Sequence, residues 1–410
     1  MKYNIFNKNN KLNFYFFYYL LILFFFSVCY LYIKHDVGND STISEWFINY
    51  SGGFTKRGLI GQISIFFSNL FNLNLRDSIL ILQILFVFIY YCLIFYYVKN
   101  IFLERFYLLA LFSPIFLLYP VAEVEVLARK EIFIFILFIL HCSIPIKNVS
   151  LYRLSKLTIL PLCMLIWEPV IFFILFWIFI DIIINKISTN IKKLFLELSF
   201  YVPSILIAFN FIFFPLTEVE HFKMSSNLEQ NFGEICYMSC ALLNDKSTLL
   251  QQFQGNLSSY SPEVFIRYFL IVVIGFGPIF FILYNSKLKN KKIIFIEKLK
   301  LLNLLGIILL LLSPVLILFA MGYDWGRWVN ISYVMTFILF LFLIKNKLIN
   351  INIKKIKKNK LNLFKKKIFV GIFIIFCFTW NPKTVVTGDV ASFPIYRIPY
   401  KLVKINFLNQ

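Results

Sequence analysis

Long apolar runs alternate with short polar connections along almost the whole chain. Clear runs cover Phe14–Ile33, Ser78–Val98, Leu194–Pro215, Glu263–Tyr284, Leu301–Ala320 and Trp328–Ile344, with a shorter one at Ile368–Trp380. About 20 apolar residues suffice to cross roughly 30 Å of hydrocarbon, and in lipid each segment must satisfy its own backbone polar groups, so these runs are predicted helices. Two further stretches are interrupted. Phe106–Ile146 holds Glu123, Glu125, Arg129, Lys130 and Glu131, too many charges for hydrocarbon at about 2.5–3.5 kcal/mol each, which predicts a hairpin of two short helices. Leu157–Ile184 is broken at Trp167-Glu168-Pro169, and Pro169 suits the first turn of a new helix because an N–H there has no intrahelical partner. The stretch Leu59–Leu73 mixes apolar and polar residues as an interfacial helix does.

Composition agrees with lipid as the solvent: 60% of the 410 residues are hydrophobic, 20% are aromatic, and mean hydropathy is +0.79. The fold class expected is all-α, a polytopic transmembrane helical bundle. The +21 net charge does not point to nucleic acid, because the basic residues cluster in short loops between apolar runs, as the positive-inside rule requires. Lys2, Lys8 and Lys11 precede the first run, which is too long for a secretory signal and lacks a small-residue cleavage site, so it reads as an uncleaved span.

Loop charge decides how often the chain crosses. If Trp167-Glu168-Pro169 is a hairpin turn, every lysine-rich loop falls on the N-terminal side. That map predicts about eleven spans with the N-terminus cytoplasmic. Outer loops fall at 34–77, 121–131, 216–262 and 321–327, the outer tail at 381–410, and basic cytoplasmic loops at 285–300 and 345–367, all in one integral membrane domain. No internal repeat supports an inverted-repeat carrier. Polar residues inside spans are few, chiefly Gln83 and Asn210, which favours a one-sided site over a two-sided path.

The outer loops carry the candidate chemistry. Asn49-Tyr50-Ser51-Gly52-Gly53 is followed by Lys56-Arg57; paired glycines permit close backbone approach to a ligand, and the two cations beside exposed N–H groups form a phosphate cradle. Glu125 and Arg129 are four apart and pair on one helical face, while Arg129-Lys130 is a cationic pair on the side that normally lacks one. Glu168 stands at a helix start near bilayer depth, where ionisable groups are costly and usually functional. The densest signal is Met321-Gly-Tyr-Asp-Trp-Gly-Arg-Trp328, in which Asp324 and Arg327 are three apart and share a helical face. Glu218, Glu220 and His221 could hold a divalent ion but lack a metal-ligand spacing and read first as a solvated loop, so no metal ligand and no cofactor is evident. Cys236 and Cys240 share an outer loop, where a disulfide is permitted, and C-x3-C with no histidine nearby in sequence indicates nothing more.

Together, Asn49 to Gly58, Arg129-Lys130-Glu131, the Trp167-Glu168-Pro169 break and Asp324-Trp325-Gly326-Arg327-Trp328 resemble polytopic membrane proteins of bacterial surface-polysaccharide loci, similar to O-antigen polymerases and C-type membrane glycosyltransferases. The resemblance implies a polyprenyl-phosphate-linked saccharide as substrate, used at the outer face of the bacterial cytoplasmic (inner) membrane. It also implies an acidic residue in the first outer loop, where Asp36, Asp40 and Glu45 stand. Glycosyl transfer requires a carboxylate to take a proton from the attacking hydroxyl and cations to stabilise charge on the departing phosphate. Asp324, Glu168 and, behind them, Asp40 are candidates for the base. Lys56, Arg57, Arg129, Lys130 and Arg327 are candidates for phosphate contacts, with Trp46, Trp167 and Trp325 for stacking on sugar rings. A flippase of the same lipid-linked saccharide and a noncatalytic subunit of an assembly complex remain the alternatives.

Overall fold

In the computed structural model of the chain, the residues described are 10–37, 41–99, 105–184, 191–244, 249–289, 303–352 and 366–386, with short pieces of the tail beyond. The protein is an all-α membrane protein. Among the described residues, six helices are long and apolar enough to cross a bilayer: Lys11–Lys34, Leu75–Val98, Val149–Ile166, Pro262–Tyr284, Leu304–Met321 and Trp325–Lys345. A seventh candidate is a pair, Val202–Phe213 and Glu218–Phe232, bent by 99°. Shorter apolar helices cover Gly58–Phe71, Glu131–Ser143 and Lys367–Phe378.

Trp325–Lys345 is the axis of the bundle, with every residue from Trp325 to Ile344 buried. Against it packs Glu131–Ser143, which also touches Leu75–Val98 and Val149–Ile166, while Pro262–Tyr284 closes another side. The outward faces stay apolar, as at Phe14, Phe66, Phe209 and Phe269, all more than half exposed. Such faces suit hydrocarbon and would be a liability in water.

Both interrupted stretches depart from simple helices for local reasons. The first arm of the 106–146 stretch is helical only over Arg105–Leu111 and continues through turns to Tyr119, because Pro114 and Pro120 supply no N–H. Non-helical backbone at membrane depth is tolerated when protein buries it. Here the central helix satisfies its carbonyls: Asn330 donates to Ile115 O at 2.8 Å and Tyr333 to Ala110 O at 2.6 Å. The second stretch turns at Trp167, runs as a tight helix over Glu168–Phe173 with Pro169 in its first turn, and resumes at Ile174–Ile184. Lys156 Nζ lies 3.0 Å from Asp181 Oδ2, whereas a straight helix would hold residues that far apart in sequence about 37 Å apart. The chain therefore doubles back at Trp167-Glu168-Pro169.

The bundle has two chemically distinct ends. At one end the lysine-rich segments meet: Ser286–Leu288 pairs antiparallel with Ile349–Ile351, and Lys345 lies over the Tyr97 ring. At the other, the segments Ser41–Phe47, Arg57, Arg129–Glu131, Glu168 and Asp324–Arg327 converge.

Candidate functional site

Arg327 is one turn into the central helix and Asp324 is its cap, so the three-residue spacing brings them together: Arg327 Nη1 donates to Asp324 Oδ2 at 3.0 Å. The same guanidinium contacts Glu131 and lies 3.6 Å from Glu45. Glu45 also pairs with Arg129, whose Nη1 is 3.8 Å from Asp324. Beside this group, Arg57 grips Glu168 in a fork, Nε to Oε2 at 2.9 Å and Nη2 to Oε1 at 2.8 Å. Lys130 Nζ ties the halves together by donating to the Arg57 carbonyl. Four separate sequence motifs thus form one network in which Arg57, Arg129, Lys130 and Arg327 face Glu45, Glu131, Glu168 and Asp324. Buried charges persist only when paired in this way.

Exposure and electrostatics separate the four carboxylates. The Glu45 and Glu131 side chains are 0% and 4% exposed, Glu168 21% and Asp324 29%. Burial alone would raise the pKa of Glu45, but Arg129 and then Arg327 hold it far below the usual range. Burial is likewise outweighed at Glu168, where Arg57 and more weakly Lys56 lower the pKa. At Asp324 burial wins over Arg129 and the pKa rises. Burial brings Lys130 down to about 7, against the pull of Glu45. Asp324 is therefore the most accessible carboxylate of the set and a stronger base than Glu45 or Glu168, while Glu168 serves to fix Arg57.

Two residues of the network's backbone are strained. Arg57 and Ala128 adopt left-handed conformations, φ 65° and 52°, which cost a non-glycine residue of the order of 1 kcal/mol and gather at functional sites. Ala128 turns the chain so that its carbonyl accepts Trp46 Nε1 at 3.1 Å while Arg129 points into the network.

The other nominated residues serve the scaffold. Gly52 and Gly53 do not open a cradle: a Cβ on Gly52 would sit 2.0 Å from the Glu220 carbonyl and one on Gly53 would meet the Glu220 side chain at 3.0 Å. Their small size admits the Glu218–Phe232 helix, not a ligand. Asn49 accepts from Ser51 N at 2.8 Å and donates to Phe47 O at 2.9 Å, shaping its own loop. Tyr50 stacks on Phe54. Trp46 and Trp167 are fully buried, and Trp325 is enclosed by Tyr260, Phe265, Tyr268 and Phe319, so none offers an open sugar platform. Lys56 is half-buried. Asp40 lies outside the described residues.

Glu45, one of three acidic residues competing in the first outer loop and passed over there for Asp40, and Glu131 are the hub residues that sequence reasoning did not put forward as catalytic or binding. The signal for Glu45 was a carboxylate inside Ile43-Ser-Glu-Trp-Phe-Ile48, too apolar for an exposed loop. The scarcity of polar groups within spans also needs correction. At the opposite end Lys156 is buried between Glu197 at 2.8 Å and Asp181 at 3.0 Å, Arg153 joins Glu197 at 2.6 Å, and His141 bonds Ser155 at 2.9 Å. Gln83, by contrast, anchors the Thr42 carbonyl at 2.6 Å and so holds the Glu45 segment in place.

A small cavity of about 30 Å³, room for a water or two, adjoins the network. Arg129 and Glu131 form its charged end, and Val87, Tyr90, Tyr91, Phe135, Ile331 and Val334 line the remainder. On the other flank Arg327 lies 5.9 Å from the Trp167 ring and 5.1 Å from Trp328. Arg327 Nε, Trp167 Nε1 and Trp328 Nε1 are buried donors with no acceptor among the described residues. In comparisons with known proteins no family model, no curated protein and no solved structure matches the chain.

Proposed function

We propose that this chain is a membrane glycosyltransferase or polysaccharide polymerase, acting on polyprenyl-phosphate-linked saccharides at the extracytoplasmic face of a bacterial cytoplasmic membrane, with about eleven crossings and a cytoplasmic N-terminus. The observation that carries the reading is the network of four cations and four carboxylates gathered at one end of the membrane bundle, with Asp324 partly exposed and apolar and aromatic side chains beside it, an arrangement that suits an anionic head presented at a membrane surface.

In this reading Asp324 takes the proton from the attacking sugar hydroxyl. The bond between the anomeric carbon and the phosphate oxygen breaks as the new glycosidic bond forms, and Arg129 and Arg327 offset the charge left on the phosphate. The raised pKa of Asp324 makes it a better base than Glu168. Asp324→Asn should abolish long polymer while protein level stays normal, read by extracting and sizing cell-surface polysaccharide. Accumulated single repeat units would indicate a polymerase, and a truncated unit a single-sugar transferase. Wild-type polymer from a well-expressed variant would sink the enzyme reading.

The buried Lys156–Asp181–Glu197 group supports a second reading, a carrier of the same lipid-linked saccharide, because it places charge within the bundle at the far end as well. Lys156→Met distinguishes them. A carrier would lose export while retaining complete lipid-linked units inside, whereas an enzyme with a structural far-end cluster would not.

A further inference from the structure

Cys236 and Cys240 are joined in a disulfide, and His221, distant in sequence, stands directly against them: its Nε2 is 3.5 Å from Cys236 Sγ and 3.1 Å from the Cys240 carbonyl. His221 is held there by the start of the Glu218–Phe232 helix, where Thr217 and Glu220 cap one another. That cap occupies Glu220, so the acidic neighbours of His221 do not form a ligand set. The cysteines do. One nitrogen and two sulfurs lie within 4.8 Å of one another. Tetrahedral Zn²⁺, with bonds of about 2.3 Å to sulfur and 2.0–2.1 Å to nitrogen, wants donors roughly 3.6–3.8 Å apart. The nitrogen already meets that spacing to Cys236, and only the two sulfurs must separate.

We propose that reduction of the Cys236–Cys240 disulfide creates a binding site for a thiophilic divalent cation of the Zn²⁺ class, with His221 Nε2, Cys236 Sγ and Cys240 Sγ as ligands. Two electrons and two protons from a dithiol reductant, which closes to its own cyclic disulfide, convert the Cys236–Cys240 disulfide into two thiols. Metal binding then releases both thiol protons, and the two thiolates neutralise the cation. Cys240 is buried, whereas Cys236 and His221 are half-buried, so the ion enters from their side and its fourth position faces solvent. The loop packs on the segment bearing Glu45: Ser239 N donates to Ser44 Oγ at 3.3 Å and the Tyr237 ring lies 6.0 Å from Phe47. The site is separate from the charged network and does not depend on the reading of that network.

The test uses the full-length protein in detergent, as isolated and after reduction by a phosphine, which takes oxygen from water as it donates its electron pair. Both forms are loaded with Zn²⁺ and desalted, and metal is counted. The reduced protein should retain about one Zn²⁺ per chain and the oxidised form almost none, with reduced Cys240→Ser losing it and reduced His221→Ala binding at least ~10-fold more weakly. A readout without variants is alkylation followed by peptide mass spectrometry. Zn²⁺ should slow modification of Cys236 and Cys240 but not of Cys92. Equal metal in the oxidised and reduced forms, or alkylation unaffected by Zn²⁺, would overturn the proposal.

Discussion

Burial presses on Lys130 and Asp324 alike, because desolvation disfavours whichever form of a group is charged. For Lys130 this yields a stability signature. Its folded pKa is about 7, against about 10.4 for an unperturbed lysine. Between those values the unfolded chain holds a proton that the folded chain lacks, so stability rises with pH across that window. The contribution is complete above the unfolded value and is lost as pH falls to about 7. The unfolding free energy of wild type should therefore climb from pH 7 to pH 10 relative to Lys130→Met, by up to about 1.4 kcal/mol per pH unit, read as a rising melting temperature; parallel curves would show that Lys130 keeps an ordinary pKa. The carboxylates differ by exposure. Glu45→Gln leaves Arg129 and Arg327 short of a fully buried partner and should cost about 3 kcal/mol, the lower end for a broken buried pair. Asp324→Asn, at a side chain 29% exposed, should cost less than half as much in thermal melts, although it is the change expected to abolish activity. A reversed order would mean that Asp324, and not Glu45, organises the network.

At the scale of elements, close backbone approach explains why a short motif is rich in glycine. Gly326 N donates to Thr384 O at 3.1 Å, and a Cβ on Gly326 would lie 2.0 Å from the Lys383 carbonyl. The segment after Trp380 is thereby laid across the cap of the central helix. Gly326→Ala must displace it, at about 1–3 kcal/mol for overpacking, with faster proteolysis near residue 383 as the local readout. Gly371, within Lys366–Phe378, has open space where a Cβ would stand, so Gly371→Ala should be neutral or stabilising by up to about 1 kcal/mol. Equal melting temperatures for the two variants would contradict the packing described. The long helices were legible in sequence because twenty apolar residues have few alternatives in lipid. The pairing of Asp324 with Arg327 was legible because helical spacing alone sets it. What escaped was tertiary: Glu45 meets Arg129, and His221 meets Cys236, only because helices fold back between them. The Gly52-Gly53 pair misled for a related reason, since glycine marks close approach without saying what approaches.

The whole molecule separates its charges by end, and that separation makes the orientation testable. Lys287 to Lys300 holds six lysines and Lys345 to Lys367 ten. The strand pairing of Ser286–Leu288 with Ile349–Ile351 brings the described parts of these regions together at one end. The disulfide loop lies at the other end, against Ser44 and Phe47. Positive charge is retained on the cytoplasmic side, and disulfides persist in oxidising compartments, so the proposed orientation, with the lysine-rich end cytoplasmic and the disulfide end outside, has two independent supports and can be tested. A cysteine placed at Glu229, exposed on the helix that carries His221, should react with a membrane-impermeant maleimide in intact spheroplasts. One at Asn350, exposed on the paired strand, should react only after lysis. Both are made in a Cys92→Ser background, because Cys92 is the exposed free thiol among the described residues. Labelling of both positions in intact spheroplasts would place the two ends on one side and break the bundle as described. The reverse pattern would turn the charged network toward the cytoplasm, where a polymerase of exported saccharide has no substrate.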